Sequence, residues 1–207
     1  MEPEISKITS QLAKYGCFMV GEFKLSSGST SPYYIDLRTI PSHPELFDLA
    51  TDAYLSVLKR EGISFDRVAG IATAGVPIAS VVAYKLRKPF MYVRKEEKSH
   101  GTRSLVEGVV EPGDSVLVVD DVATTGGSIL RAVEAIRKIG GKVEHVIVLV
   151  DRKQGAGSSL SGAGVKLISI MTADELIQEL HLKGIIPYDD YERVMRYIRG
   201  EGDVKRT

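Results

Sequence analysis

Between Arg67 and Arg152 the chain alternates regularly between short apolar runs and longer amphipathic segments, and this alternation limits the folds open to it. RVAGIA (67–72) leads through a Thr-Ala-Gly turn into the helical VPIASVVAYKLRK, where Pro77 is tolerated because it falls in the first turn. PFMYVRK (89–95) is a second strand, followed by the charged loop EEKSHGTRSLVEG. SVLVVDD (115–121) is a third, and the turn TTGGS carries it into SILRAVEAIRKIGG, a helix closed by Gly140 and Gly141. KVEHVIVLVDR (142–152) is a fourth. Strands that are apolar throughout need cover on both faces, and strands joined through helices pair in parallel. The expected class is therefore α/β, with a mostly parallel central sheet flanked by helices.

The flanking segments are less constrained. Ile5 to Tyr15 has helical spacing and stops at Gly16, and residues 45–61 repeat Leu46, Leu49, Ala53, Leu55 and Leu58 at helical intervals. Between them, Phe23 with Leu25 and Tyr34 with Ile35 and Leu37 form short alternating runs, split by Gly28 and Pro32 as in a small hairpin. Toward the C-terminus VKLISIMT (165–172) reads as a further strand, and ADELIQELHLKG and YDDYERVMRYIR as helices. With neither a repeat nor a linker, the 207 residues read as a single domain, 1–207, with a small N-terminal elaboration.

Composition excludes several function classes. Lys plus Arg and Asp plus Glu both number 27, so no basic excess points to nucleic acid. No apolar stretch approaches the roughly 20 residues of a membrane-spanning helix. The N-terminus carries acids where a signal peptide would be apolar. The single Cys17 excludes an intrachain disulfide, which makes a reducing cytoplasm the expected setting.

In a parallel sheet, ligands bind beyond the carboxyl ends of the strands. Two glycine-containing turns fall there: Thr73-Ala74-Gly75, and Ala123 to Ser128 with Thr124, Thr125, Gly126 and Gly127. Each opens a helix whose first N–H groups are unpaired and suited to phosphate. Asp120 and Asp121, just before the second turn, would repel phosphate, but they fit ribose hydroxyls or a Mg²⁺ ion. Equally open at this point is a plainer reading, in which Asp121 caps the turn and Asp120 ends the strand in solvent. Neither a Walker A loop nor GxGxxG is present.

The stretch VLVVDDVATTGGS (116–128) resembles the phosphoribosyl pyrophosphate (PRPP) signature of type I phosphoribosyltransferases. FKLSSGSTSPYYIDLR (23–38) is similar to the N-terminal hood of the orotate phosphoribosyltransferases among them. YVRKEEKSHGT (92–102) resembles their mobile catalytic loop, and LVDRKQG (149–155) their base-binding strand end. The resemblance implies the type I fold, with the hood contributed mainly by residues 16–40 and the catalytic loop by about 94–108. It implies transfer of phosphoribosyl from PRPP to orotate, giving orotidine 5′-monophosphate and pyrophosphate in UMP biosynthesis.

The resemblance also implies roles. Asp120 and Asp121 would face the ribose diol. Val122, Ala123, Thr124, Thr125, Gly126, Gly127 and Ser128 would hold the 5′-phosphate, and Thr73, Ala74 and Gly75 the pyrophosphate. Thr124 and Arg152 would bind orotate, with Tyr33 and Tyr34 packing on the pyrimidine. Arg94, Lys95, Lys98 and His100 put four potential cations into seven residues. Alone they read as a solvated loop; under the resemblance they neutralise the leaving pyrophosphate, with Lys98 foremost and His100 assisting. Mg²⁺ would arrive mainly on PRPP, leaving no protein residue as a metal ligand, and the active form would be a homodimer with shared sites. Many bacterial members carry a hood lysine where this chain has Ser26. A purine phosphoribosyltransferase and a PRPP-sensing regulator are the alternatives on the same fold. SPYYIDLR and DRKQG disfavour the first, and the balanced charge and the cationic loop disfavour the second. His43, His145 and His181 show no metal-ligand spacing, and Cys17 lacks the basic neighbour that a nucleophile needs.

Overall fold

The alternation of the central segment becomes a six-stranded sheet in the computed structural model, which describes residues 3–24, 28, 30–96 and 105–201. The chain begins with helix α1 (Pro3–Lys14) and an antiparallel pair, β1 (Phe18–Lys24) and β2 (Thr30–Ile35). A 3-10 turn (Leu37–Ser42) then leads to α2 (Pro44–Arg60). β3 (Arg67–Ile71), α3 (Gly75–Leu86), β4 (Phe90–Val93), the short β5 (Val106–Glu107), β6 (Val116–Ala123), α4 (Gly127–Lys138) and β7 (His145–Asp151) follow. The chain closes with α5 (Ala156–Gly162), β8 (Lys166–Thr172), α6 (Ala173–Leu182) and α7 (Tyr188–Ile198).

The sheet order is β5-β4-β3-β6-β7-β8, parallel throughout except for β5, which runs antiparallel to β4. Strand β6 shows why both faces are covered. Leu117 and Val119 join the core formed with α1, α2, α3, α6 and α7, while Val116 and Val118 join the core under α4 and α5. Adjacent residues of a strand point to opposite faces, so an unbroken apolar run serves two cores at once.

The α/β class and the parallel order match the expectation, and the differences are local. β6 continues through Val122 and Ala123, so these two residues are strand rather than turn. β7 begins at His145; Lys142 makes only an isolated bridge to Ser115. Leu37 lies in the 3-10 turn and not in the hairpin. Two elements were not anticipated: β5, too short to show a period, and α5, whose Ala-Gly-Ser-Ser composition is weak for a helix. Of the expected hood, 16–40, residues 25–27 and 29 lie outside the described residues, and with them Ser26. No helix among the described residues is long and apolar enough to cross a membrane.

Candidate active site

Strands β3, β6 and β7 end side by side, and each is followed by a helix that starts without a side-chain cap. At α3 the cap position is Ala74, and the Ala72–Thr73 peptide before it is cis. At α4 it is Gly126, whose φ of +87° is left-handed backbone that glycine adopts without penalty. A Cβ on Gly126 would also stand 3.2 Å from the Ala156 Cα, because Ala156 N–H donates to the Thr124 carbonyl at 3.0 Å. The unforeseen α5 thus braces the turn from Thr124 to Gly126. The leading N–H groups of α3 and α4, 12 residues each, form two places where negative charge is favoured.

Asp120 and Asp121 lie between these termini and are buried, each 7% exposed. The reading that put Asp120 at a solvated strand end is therefore overturned. Asp121 N–H donates to Asp120 Oδ1 at 3.0 Å, and from below Tyr54 donates its hydroxyl proton to the Asp120 carbonyl oxygen at 2.7 Å. Burial, and then the neighbouring Asp121 charge, push the Asp120 carboxyl well above the usual carboxylate range. Burial raises Asp121 as well. Two confined carboxylates held out of water are poised for hydroxyl donors or a cation.

Gly75 joins the acid pair to the first turn. A Cβ there would lie 2.6 Å from Asp120 Oδ1 and 2.9 Å from the Val119 carbonyl, so only glycine lets α3 start this close to the end of β6. On the other side of the strand ends, Arg94, Lys95, Ser128, Arg131 and Ala72 line a cavity of about 320 Å³. Arg94 Nη1 is buried 3.7 Å from Glu107 Oε1, and among the described residues it has no hydrogen-bond partner. Arg152 Nη2, beyond β7, is likewise buried with no hydrogen-bond partner among the described residues. Buried N–H groups of charged guanidinium call for acceptors, and anionic ligands supply them.

The structure thus brings Thr73, Ala74, Gly75, Asp120, Asp121 and the 122–128 segment to one edge, with Arg94 and Lys95 beside Ser128. Lys98 and His100 lie outside the described residues. Tyr34 stacks on Phe23 at 5.5 Å and accepts from Arg38 Nη2 at 3.1 Å, remaining half-buried. Tyr33 departs from its expected role: it is fully buried, so its ring has no free face for a pyrimidine, and it meets Arg152 instead. Sequence reasoning missed Tyr54 and Arg131, since a helical tyrosine and a helical arginine carry no local mark of the neighbours they reach.

The donor set also bears on Mg²⁺. Among the described residues no group of three or more His, Cys, Asp or Glu could hold a metal ion. A lone carboxylate pair suits a cation whose other ligands come from a bound diphosphate.

The phosphoribosyl transferase domain model matches residues 38–183, the span that contains all of these turns. The chain belongs to this family. It is 46% identical over 180 residues to an orotate phosphoribosyltransferase of Sulfolobus acidocaldarius, covering 87% of this chain and 90% of the relative. To one of Staphylothermus marinus it is 45% identical over 200 residues, covering 97% of each. The crystal structure of orotate phosphoribosyltransferase from Aeropyrum pernix superposes with a TM-score of 0.78 at 42% identity, over 84% of this chain and 98% of that one. As a phosphoribosyltransferase, the chain carries a buried acid pair between two helix starts without side-chain caps.

Proposed function

We propose that this phosphoribosyltransferase acts on orotate: the bond from C1 of PRPP to pyrophosphate breaks as orotate N1 bonds to C1 and gives up its proton to solvent, yielding orotidine 5′-monophosphate and pyrophosphate in UMP biosynthesis. The observation that carries the reading is the buried Asp120–Asp121 pair set between the uncapped starts of α3 and α4. It offers two anion sites separated by a hydroxyl-accepting site, which is the charge pattern of PRPP itself. The relatives named above supply the choice of orotate.

On this reading the α4 start, with Thr124, Thr125 and Ser128, takes the 5′-phosphate, and the α3 start takes the pyrophosphate. Asp120 and Asp121 accept from the ribose diol, exchanging their mutual repulsion for hydrogen bonds. Arg94 and Lys95, with Lys98 and His100, concentrate positive charge where the pyrophosphate leaves, and charge stabilisation is strongest where water is excluded. Mg²⁺ carried on PRPP would neutralise the diphosphate, with Asp120 and Asp121 as the protein oxygens nearest to it in chemistry. Arg152 offers its planar fork to the orotate carboxylate, and Thr124 and Tyr34 would contribute the remaining orotate contacts. The working form on this reading is a cytoplasmic homodimer in which part of the cationic loop serves the neighbouring site.

The test follows orotate absorbance with PRPP and Mg²⁺, with adenine, guanine, xanthine and uracil assayed in parallel. Turnover with orotate alone is expected. Turnover with another base would overturn the assignment of Arg152, and PRPP binding with no turnover of any base would make the chain a sensor.

A further inference from the structure

We propose that Tyr33 is a positioning residue for Arg152, its hydroxyl holding the guanidinium so that the Nη edge faces the orotate carboxylate. This rests on the reading of Arg152 as the carboxylate-binding group.

Arg152 is anchored at both ends. Its main-chain N–H donates to the Ala123 carbonyl at 2.9 Å, tying it to the end of β6. Its side chain crosses to the hood, where Nε donates to the Tyr33 hydroxyl at 3.2 Å and the guanidinium carbon lies 4.8 Å from the centre of the Tyr33 ring. Fixing Nε orients the whole planar group, because the five N–H donors of arginine form a rigid fork. What remains is a buried Nη2 with no hydrogen-bond partner among the described residues. A buried charged donor left open is costly unless an acceptor arrives, so the held guanidinium is prepared for an anion.

Tyr33 is itself immobilised. It has no exposed surface, it stacks near Phe18 at 6.2 Å, and the edge of Tyr197 from α7 meets it at 6.1 Å. Its hydroxyl sits 119 positions from Arg152 in sequence, so hairpin, strand end and C-terminal helix must all be in place for the bond to form. Burial raises the pKa of the phenol despite the pull of Arg152. The hydroxyl is therefore a neutral acceptor. It directs the arginine without cancelling its charge, as a carboxylate in the same place would.

The experiment compares Tyr33→Phe, Arg152→Ala and the double variant by steady-state kinetics against orotate and PRPP separately. Tyr33→Phe keeps the packed ring and removes only the acceptor, and it is expected to raise the orotate KM about tenfold or more, the worth of one hydrogen bond to a charged group. The PRPP KM and kcat should stay close to wild type. In the Arg152→Ala background the same change should add nothing, since there is no guanidinium left to position. An orotate KM unchanged in Tyr33→Phe would overturn the proposal, as would equal rises for orotate and PRPP, or a further loss in the double variant. If Tyr33→Phe does not fold, Tyr197→Leu asks the same question, because it removes the ring edge that holds Tyr33 while leaving Arg152 in place. A raised orotate KM with the PRPP KM unchanged supports positioning, and a wild-type value overturns it. Should Arg152→Ala itself leave orotate untouched, the reading of Arg152 falls; should it weaken orotate while Tyr33→Phe does not, only the positioning role falls.

Discussion

The hydroxyl of Tyr54, fully buried on α2, donates to the main-chain oxygen of Asp120 at 2.7 Å, so a helix beneath the sheet supports the first acid of the pair. Tyr54→Phe removes that donor with little change in volume. The expected loss is about 1 kcal/mol, read as a lower midpoint in urea unfolding with an unchanged slope. A midpoint equal to wild type would mean that the hydrogen bond contributes nothing net.

Asp120→Asn keeps an oxygen to accept from Asp121 N–H but removes a charge confined by burial. Catalytic efficiency should fall about 10- to 100-fold, the worth of a charge-assisted hydrogen bond, while thermal stability near neutral pH rises. The sign follows from the raised pKa. The folded carboxyl holds its proton more tightly than the unfolded one, so wild-type stability declines as pH climbs from the usual aspartate range toward the raised folded value. The gain in Asp120→Asn should therefore vanish in acid and be largest above the folded value. Unfolding midpoints across pH check it; a gain that grows toward acid would contradict it.

Gly75 and Gly127 both open helices but differ in the space around them. A Cβ at Gly75 would overlap Asp120 Oδ1 at 2.6 Å, whereas at Gly127 the nearest atom is Thr125 Oγ1 at 4.0 Å. Gly75→Ala is expected to lose about 1–3 kcal/mol of stability through overpacking and to weaken PRPP. Gly127→Ala is expected to leave the fold intact or to stabilise it by up to about 1 kcal/mol. Thermal melts of the two variants side by side decide this.

Lys98→Ala tests the cationic loop. If Lys98 stabilises the leaving pyrophosphate, kcat should drop by about 10²-fold or more while PRPP still binds, as measured by calorimetry. Near-wild-type turnover would remove the role.

The sequence alone determined the layered α/β class, because unbroken apolar strands such as VLVV can be buried only between two helical layers. It also determined the two glycine-containing turns at the strand ends, since a glycine at a strand-to-helix junction has a local backbone reason to be there. Tertiary structure decided the rest. Whether Asp120 is solvated or buried depends on α2 and α3, which lie far from it in sequence, and the tightness at Gly75 exists only where α3 meets β6. Tyr33 looked like one of two equivalent aromatic neighbours. Adjacent strand residues point to opposite sides, so Tyr34 stays at the surface of the hood while Tyr33 turns inward to Arg152, a contact fixed by packing across 119 positions rather than by any local pattern.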